Sequence, residues 1–354
     1  MHYIHPQLRD DLVILLKKHK ITKEELNRIL QKPNYHKFTQ TTTRKDGTIK
    51  NREISAPEPK LKLIQRTILD RLTSLMGHTH HECVHGFVPK HNIGTNAKQH
   101  EYAKILIKID IKDFFPSVTI HHILTLINKD MKLNRYIGMD IESFMKLILE
   151  NNALPQGAPT SPLMANLVFR PIDTIMFQLA EKHQWKYSRY ADDLIFSKRE
   201  IDEKTTEDIQ IIIGMTKSIC SKYHFKINPK KIRVHRRPAR MVVTGVVVNQ
   251  HSNIPRRRWK NLKAAFHNIN RAENKPSETL IKKLRGEFAY LSTVNEVRAY
   301  KISRKFQEIY DKWNIEINKR FREARNIVAI TGNSVISTTA SYTSVNYIDI
   351  DYRA

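Results

Sequence analysis

Tyr190-Ala191-Asp192-Asp193 sets two adjacent carboxylates in an apolar setting, with Tyr187-Ser188-Arg189 before them and Leu194-Ile195-Phe196 after. Aromatic and β-branched residues on both sides predict two short strands, with the acids at or beside the turn between them. Neighbouring Asp side chains repel, and holding them against a packed sheet is costly unless a cation compensates. Mg²⁺ fits, because it takes hard oxygen ligands and commonly shares its shell with substrate phosphates. A polar hairpin tip is the plain alternative, since Asp favours turns.

Upstream, residues 103–111 read AKILIKIDI. Ile105, Ile107, Ile109 and Ile111 fall on one face and Leu106, Lys108 and Asp110 on the other, which predicts a strand with Asp110 near its end. Pro116 closes this stretch after Lys112-Asp113-Phe114-Phe115. A second strand thus offers an acid to the Asp192/Asp193 pair. Three carboxylates from two adjacent strands can hold two divalent ions about 3.5–4 Å apart, the geometry of two-metal phosphoryl transfer. Asp113 is the weaker acid candidate, because it can simply cap the turn or helix that follows.

These blocks resemble the reverse transcriptases. Asp110-x-x-Asp113-x-Phe115 matches the family's first catalytic motif, Leu154-Pro155-Gln156-Gly157-Ala158-Pro159-Thr160-Ser161-Pro162 the second, and Tyr190-Ala191-Asp192-Asp193 the third, in the family's order. The resemblance implies an α+β, right-hand polymerase fold with fingers, an antiparallel palm sheet and a helical thumb. It makes Asp110, Asp192 and Asp193 the catalytic ligands of two Mg²⁺ ions, with Mn²⁺ as a substitute. Phe115 becomes the steric gate under the sugar; a core phenylalanine is its rival reading. Gln156, Gly157 and Tyr190 join the nucleotide site. Ser161 is expected as N-cap of a helix with Pro162 at its first position, and Pro171 as a kink. Gly157 is expected to let backbone approach a nucleotide closely.

Lys45-Asp46-Gly47-Thr48 reads as a hairpin turn. In the family this hairpin folds over the incoming nucleotide, and Arg52 on the returning strand matches the arginine that holds the triphosphate, helped by Lys45 or Lys50. Phe225-Lys226-Ile227-Asn228-Pro229-Lys230-Lys231 resembles the fourth palm motif, where a lysine protonates the departing pyrophosphate; Lys231 is favoured over Lys230.

Two further blocks are similar to retron reverse transcriptases: Asn96-Ala97-Lys98-Gln99-His100 matches their Asn-Ala-x-x-His motif and Val243-Thr244-Gly245 their Val-Thr-Gly motif. His85-Gly86-Phe87 and Arg189-Tyr190-Ala191-Asp192-Asp193-Leu194 look retron-like as well. Asn96 and His100, four apart on an expected helix, share a face. They are candidates for RNA contact together with Val243, Thr244 and Gly245, or for hydrogen bonds to each other or a nearby loop. Gly245 inside the β-branched run 242–248 suggests a bulge or a close backbone approach. The resemblance implies an enzyme that copies part of its own structured noncoding RNA from dNTPs into multicopy single-stranded DNA, branched 2′–5′ from a guanosine. It also implies antiphage defence with an effector protein encoded nearby. The rivals are another defence-associated polymerase of the same fold and an RNA-binding scaffold that sequesters an effector. The intact acids argue against the scaffold. A group II intron maturase and nuclease region would find little room, and no RNase H domain is apparent.

Composition agrees. Lys+Arg is 61 against Asp+Glu at 35 in 354 residues, a net charge of +26, which suits a long nucleic-acid cleft with salt-sensitive binding. No apolar run spans a bilayer and no signal peptide or lipidation motif stands out. Two cysteines, Cys83 and Cys220, suit a reduced, cytoplasmic setting. His78, His80, His81, Cys83 and His85 crowd together, but their spacing fits no standard zinc site. The expected organisation is a helical extension over 1–32, with a capping box at Thr22–Glu25, then fingers and palm over 33–249, a helical thumb over 250–330 and a tail over 331–354.

Overall fold

A computed structural model describes residues 21–43, 47–76, 80–137 and 141–313. The helical readings before residue 21, Lys45-Asp46 of the hairpin turn, His78 and the tail lie outside the described residues.

The first described helix, Lys23–Gln31, starts as expected: Glu25 N–H donates to Thr22 Oγ1 at 3.2 Å and Thr22 N–H to Glu25 Oε2 at 3.1 Å. Strands β1 (Tyr35–Thr43) and β2 (Ile49–Pro57) then form a long antiparallel hairpin. Gly47, between them, adopts the positive φ of +80° that a tight turn requires.

β3 (Ile105–Asp110), β4 (Lys186–Tyr190), β5 (Asp193–Lys198) and β6 (Arg233–Arg236) make the central sheet, in the order β4-β5-β3-β6 and antiparallel throughout. The alternation in β3 sorts its side chains between two cores. Ile105, Ile107 and Ile109 pack with Leu194, Phe196 and the helices Pro59–Met76 and Ser161–Lys182. Leu106 faces the other way, with Ile195, into a second core built with the C-terminal helices. Those helices, Arg256–Arg271, Glu278–Val294 and Glu296–Trp313, bury Leu262, Phe266 and Ile269 from one face and Leu284, Phe288 and Leu291 from another, as their 3.6-residue spacing predicts. The hairpin, sheet and helical bundle are the expected fingers, palm and thumb.

Two local expectations are corrected. Ser161 is the first residue of its helix and Thr160 the N-cap; the Ser161 hydroxyl donates instead to the Pro155 carbonyl at 2.8 Å, pinning the loop that carries Gln156. The helix continues through Pro171 to Lys182. Val242 to Val248 holds no bulge: β7 (Val242–Val243) and β8 (Val246–Val247) form a tight hairpin with Thr244 and Gly245 at φ +45° and +86°. Positive φ at both turn residues is the twist-matched hairpin geometry, and this is what asks for glycine.

Candidate active site

The palm sheet ends in acids. Asp110 closes β3 and Asp193 opens β5, and the two are direct cross-strand partners. Asp192 sits in the two-residue turn between β4 and β5; its carbonyl accepts from Ile111 N–H at 3.0 Å. The three carboxylates predicted to meet are thus carried by one end of two neighbouring strands. Lys231, in the short turn Pro229–Lys231, reaches across and donates to Asp110 Oδ1 at 2.5 Å, whereas neighbouring Lys230 is exposed. The Asp110 carbonyl accepts from Asn228 N–H at 2.8 Å, fixing that turn beside the acid. Asp113 does not join: it is exposed, at φ +48°, and makes no side-chain cap to the helix Phe114–Ser117.

The electrostatics suit a cation. Burial raises the Asp192 carboxyl above the usual range, and Asp193 and Asp110 add like-charge repulsion. Burial likewise raises Asp193, opposed by Lys108, Lys231 and Lys50. Among the described residues no three His, Cys, Asp or Glu side chains stand in ready-made metal-holding geometry. The acids present hard oxygens at one edge, and substrate oxygens would complete a Mg²⁺ shell there.

The fingers reach this site. Ser55 N–H donates to the Gln156 carbonyl at 2.8 Å, so β2 is tied to the loop of the second motif. Gly157, at φ +132°, leaves room for β2 itself, since an added Cβ would lie 2.8 Å from the Ser55 carbonyl oxygen. The close approach it permits is therefore to backbone of the same chain. Lys50 lies within the field of Asp192 and Asp110; burial lowers its pKa first, and Arg52 and Lys231 push the same way. Arg52, exposed on β2, points to no acid partner among the described ion pairs and is open to a phosphate. Phe115 is half-buried, its ring 5.5 Å from Phe114 and 5.9 Å from Phe87.

In the two retron-like blocks Asn96, His100 and Val243 are buried, Thr244 is half-buried and Gly245 is exposed. The helix Ile93–Lys98 ends before His100, and both Asn96 and His100 are fully buried. The Ser188 hydroxyl donates to Asn96 Oδ1 at 2.6 Å, and His100 bonds Ser188 through Nε2 and Ser197 through Nδ1, each at 2.7 Å. Since Ser188 donates to Asn96, it accepts from His100, which fixes Nε2–H and leaves Nδ1 to accept from Ser197. The pair braces the underside of β4 and β5. Burial takes the His100 pKa down to about 3, keeping the ring neutral. The second block sits at the thumb: Val243 is buried, the Thr244 hydroxyl donates to the Ile93 carbonyl at 3.3 Å and the Tyr290 hydroxyl to the Gly245 carbonyl at 3.1 Å. Gly94 lies against Thr293 so closely that a Cβ would come 2.1 Å from its carbonyl oxygen. Together the two blocks join palm to thumb.

Other residues that the sequence reading passed over hold the acid turn. Ala191 carries φ +53° at the first turn position, where glycine is usual. Arg189 donates to its carbonyl at 3.2 Å and to Asn166 Oδ1 at 3.0 Å, and forms a bidentate pair with Asp173 at 2.8 and 2.7 Å. Asn166 Nδ2 donates to the Gly86 carbonyl at 3.0 Å. Asn166 and Asp173, seven apart in the helix and both buried, share one face; that spacing was the available signal.

An acid-bearing antiparallel palm under a fingers hairpin, with a helical thumb behind it, is a right-hand polymerase fold. Residues 43–253 match the family described as reverse transcriptase (RNA-dependent DNA polymerase), and the chain belongs to that family, among the retron reverse transcriptases. It is 31% identical over 281 residues to the retron Mx162 reverse transcriptase of Myxococcus xanthus, covering 72% of this chain and 57% of that one. The retron Ec86 reverse transcriptase of Escherichia coli is 30% identical over 255 residues, 71% of this chain and 75% of the relative. The retron Ec73 enzyme of the same organism is 29% identical over 307 residues, 83% and 93% respectively. The chain spans 57% and 64% of the length of the two Myxococcus xanthus relatives.

Proposed function

We propose that this chain is an RNA-directed DNA polymerase of the retron type. It copies part of a cognate structured noncoding RNA into multicopy single-stranded DNA, joined 2′–5′ to that RNA, and works in antiphage defence with an effector protein. The observation that carries the polymerase reading is the register Asp110 opposite Asp193, with Asp192 in the adjoining turn. Membership among retron reverse transcriptases supports the finer reading. A cytoplasmic setting accords with two buried free cysteines, and no described helix is long and apolar enough to cross a membrane.

In this reading a primer hydroxyl attacks the α-phosphorus of a dNTP, one P–O bond forms, the bond to the bridging oxygen breaks, and pyrophosphate leaves. Asp110, Asp192 and Asp193 would hold Mg²⁺, or Mn²⁺ in its place, which supplies charge neutralisation and activation of the attacking hydroxyl. Lys231, bonded to Asp110, would donate a proton to the departing pyrophosphate. Lys50 and Arg52 extend the cationic side toward the triphosphate. Phe115 would serve as the gate under the sugar.

The test is the nucleic acid that copurifies with the protein expressed beside its flanking genomic sequence. A branched RNA–DNA species, shortened by RNase but resistant at the branch, is expected from the wild type and absent from Asp192→Asn. Recovery of unbranched RNA alone from the wild type would overturn the retron reading. Primer extension by Asp192→Asn at the wild-type rate would overturn the metal assignment.

A further inference from the structure

Phe87 is exposed in a segment whose neighbours are buried. Gly86 and Val88 are both inside, while the Phe87 ring is 47% exposed at φ +60°. Positive φ is a strained state for an aromatic residue and an easy one for glycine. The ring therefore gains the molecule neither core packing nor a relaxed backbone. Backbone held in such a state persists where the surroundings fix it and function uses it.

The surroundings do fix it. His85 N–H donates to the Arg189 carbonyl and Arg189 N–H to the Cys83 carbonyl, both at 2.8 Å, so this segment runs along the outer edge of β4. Gly86 is wedged against the acid turn: a Cβ there would lie 2.5 Å from Ala191 N. The Phe87 ring is thus set rigidly beside the catalytic turn, 5.9 Å from Phe115 and 6.4 Å from Tyr190. The three rings form one aromatic wall.

The order across the sheet says what this wall meets. The turn of Lys231 adjoins Asp110 on β3, then come Asp193 on β5, Tyr190 on β4 and Phe87 beyond it. The cationic end, Lys231 with Lys50, suits the triphosphate. The aromatic end lies across the acids from it, where the strand being extended must place its last nucleotide. We propose that Phe87 is a template–primer-binding residue that packs on the terminal base pair of the duplex, apart from the sugar gate at Phe115. A flat apolar ring suits this task because every base has a π-face. The inference rests on reading Asp110, Asp192, Asp193 and Phe115 as the polymerase site.

The test is steady-state extension of an annealed DNA primer on an RNA template by the full chain. Phe87→Ala should raise the KM for template–primer on the order of tenfold, the scale of one lost base–aromatic contact. The KM for dNTP and the ribose-to-deoxyribose preference should stay within about twofold of wild type. Phe115→Val should do the reverse. Phe87→Tyr should restore template–primer KM. Phe87→Gly should keep the alanine defect while melting no lower than wild type, because glycine relaxes φ. A changed sugar preference in Phe87→Ala would make the ring part of the gate and overturn the proposal. Unchanged template–primer KM would overturn it too, as would failure of tyrosine to rescue or a lower melting temperature in Phe87→Gly. These failures, with Asp192→Asn inactive, fall on Phe87 alone; an active Asp192→Asn would take down the site reading and the proposal with it.

Discussion

Asp173→Ala removes the carboxylate that, among the described residues, is bonded to a guanidinium sealed from water. Arg189 and Asp173 are both 0% exposed, and their two bonds measure 2.8 and 2.7 Å. Arg189 also lies over the Phe169 ring at 4.8 Å, which leaves no route for solvent to take over from the acid. Breaking a buried pair by deleting one partner costs about 3–5 kcal/mol, because the surviving charge is left uncompensated. The Tyr187 hydroxyl loses its acceptor as well, since it donates to Asp173 Oδ1 at 2.9 Å. Against a typical total of about 5–15 kcal/mol, the variant should be badly destabilised. The pair replaced together, Asp173→Leu with Arg189→Met, should recover most of the loss, since no charge remains buried. Urea unfolding, followed through the buried Trp185, measures both. The refolded double variant should still polymerise poorly, because Ala191 loses the donor that holds its positive-φ turn. A loss under about 1 kcal/mol in Asp173→Ala would refute the reasoning, since that is what an exposed pair is worth.

Asn96→Ala with His100→Ala should depress extension on cognate RNA and on an annealed primer alike, because the pair braces β4 and β5; a selective loss on cognate RNA, assayed at matched salt, would restore an RNA-reading role. Phe115→Val should admit ribonucleotides, read as the ratio of kcat/KM for the two sugars, and an unchanged ratio would remove it from the gate. His100 stays neutral in the fold down to about pH 3, and burial with His91 takes His85 down to about 4, whereas unfolded histidines protonate near pH 6.5. The unfolded chain thus binds more protons below about 6.5, so the contribution of these rings is complete above that pH and lost as pH falls toward the folded values. Between pH 6.5 and 5 each ring should remove about 2 kcal/mol, and His100→Gln should flatten the pH dependence of urea stability by one such share.

The acids were legible because their chemistry leaves few alternatives. Paired aspartates between apolar β-branched runs, and a third acid at the end of an alternating strand, define a sheet end that wants a cation. Periodicity also gave the thumb helices, since Leu262, Phe266 and Ile269 recur at helical spacing. What stayed hidden depends on tertiary partners. Nothing local marks Ser161 as a donor to Pro155 rather than a cap, or shows that Gly157 makes room for Ser55. Asn96 and His100 look like surface polar residues until Ser188 and Ser197, about ninety residues on, supply their bonds from two other strands.

That last placement bears on how the acid hairpin works. Ser188 and Arg189 are neighbours on β4, so their side chains leave opposite faces. One face rests on the neutral network of Asn96, His100 and Ser197, the other on the ionic network of Asp173 and Asn166. β4 is therefore held by polar bonds on both faces, immediately before a turn whose two acids repel each other and whose Ala191 is strained. Apolar packing alone is non-directional and tolerates small slips, whereas buried hydrogen bonds are directional and resist them. A metal site needs its ligands held to within about half an ångström. The two networks supply that constraint from the protein side. The Asn-Ala-x-x-His block thereby bears on the acid hairpin through strand geometry, and the helix that begins it meets the thumb side through Ile93 and Gly94, which contact Thr244 and Thr293.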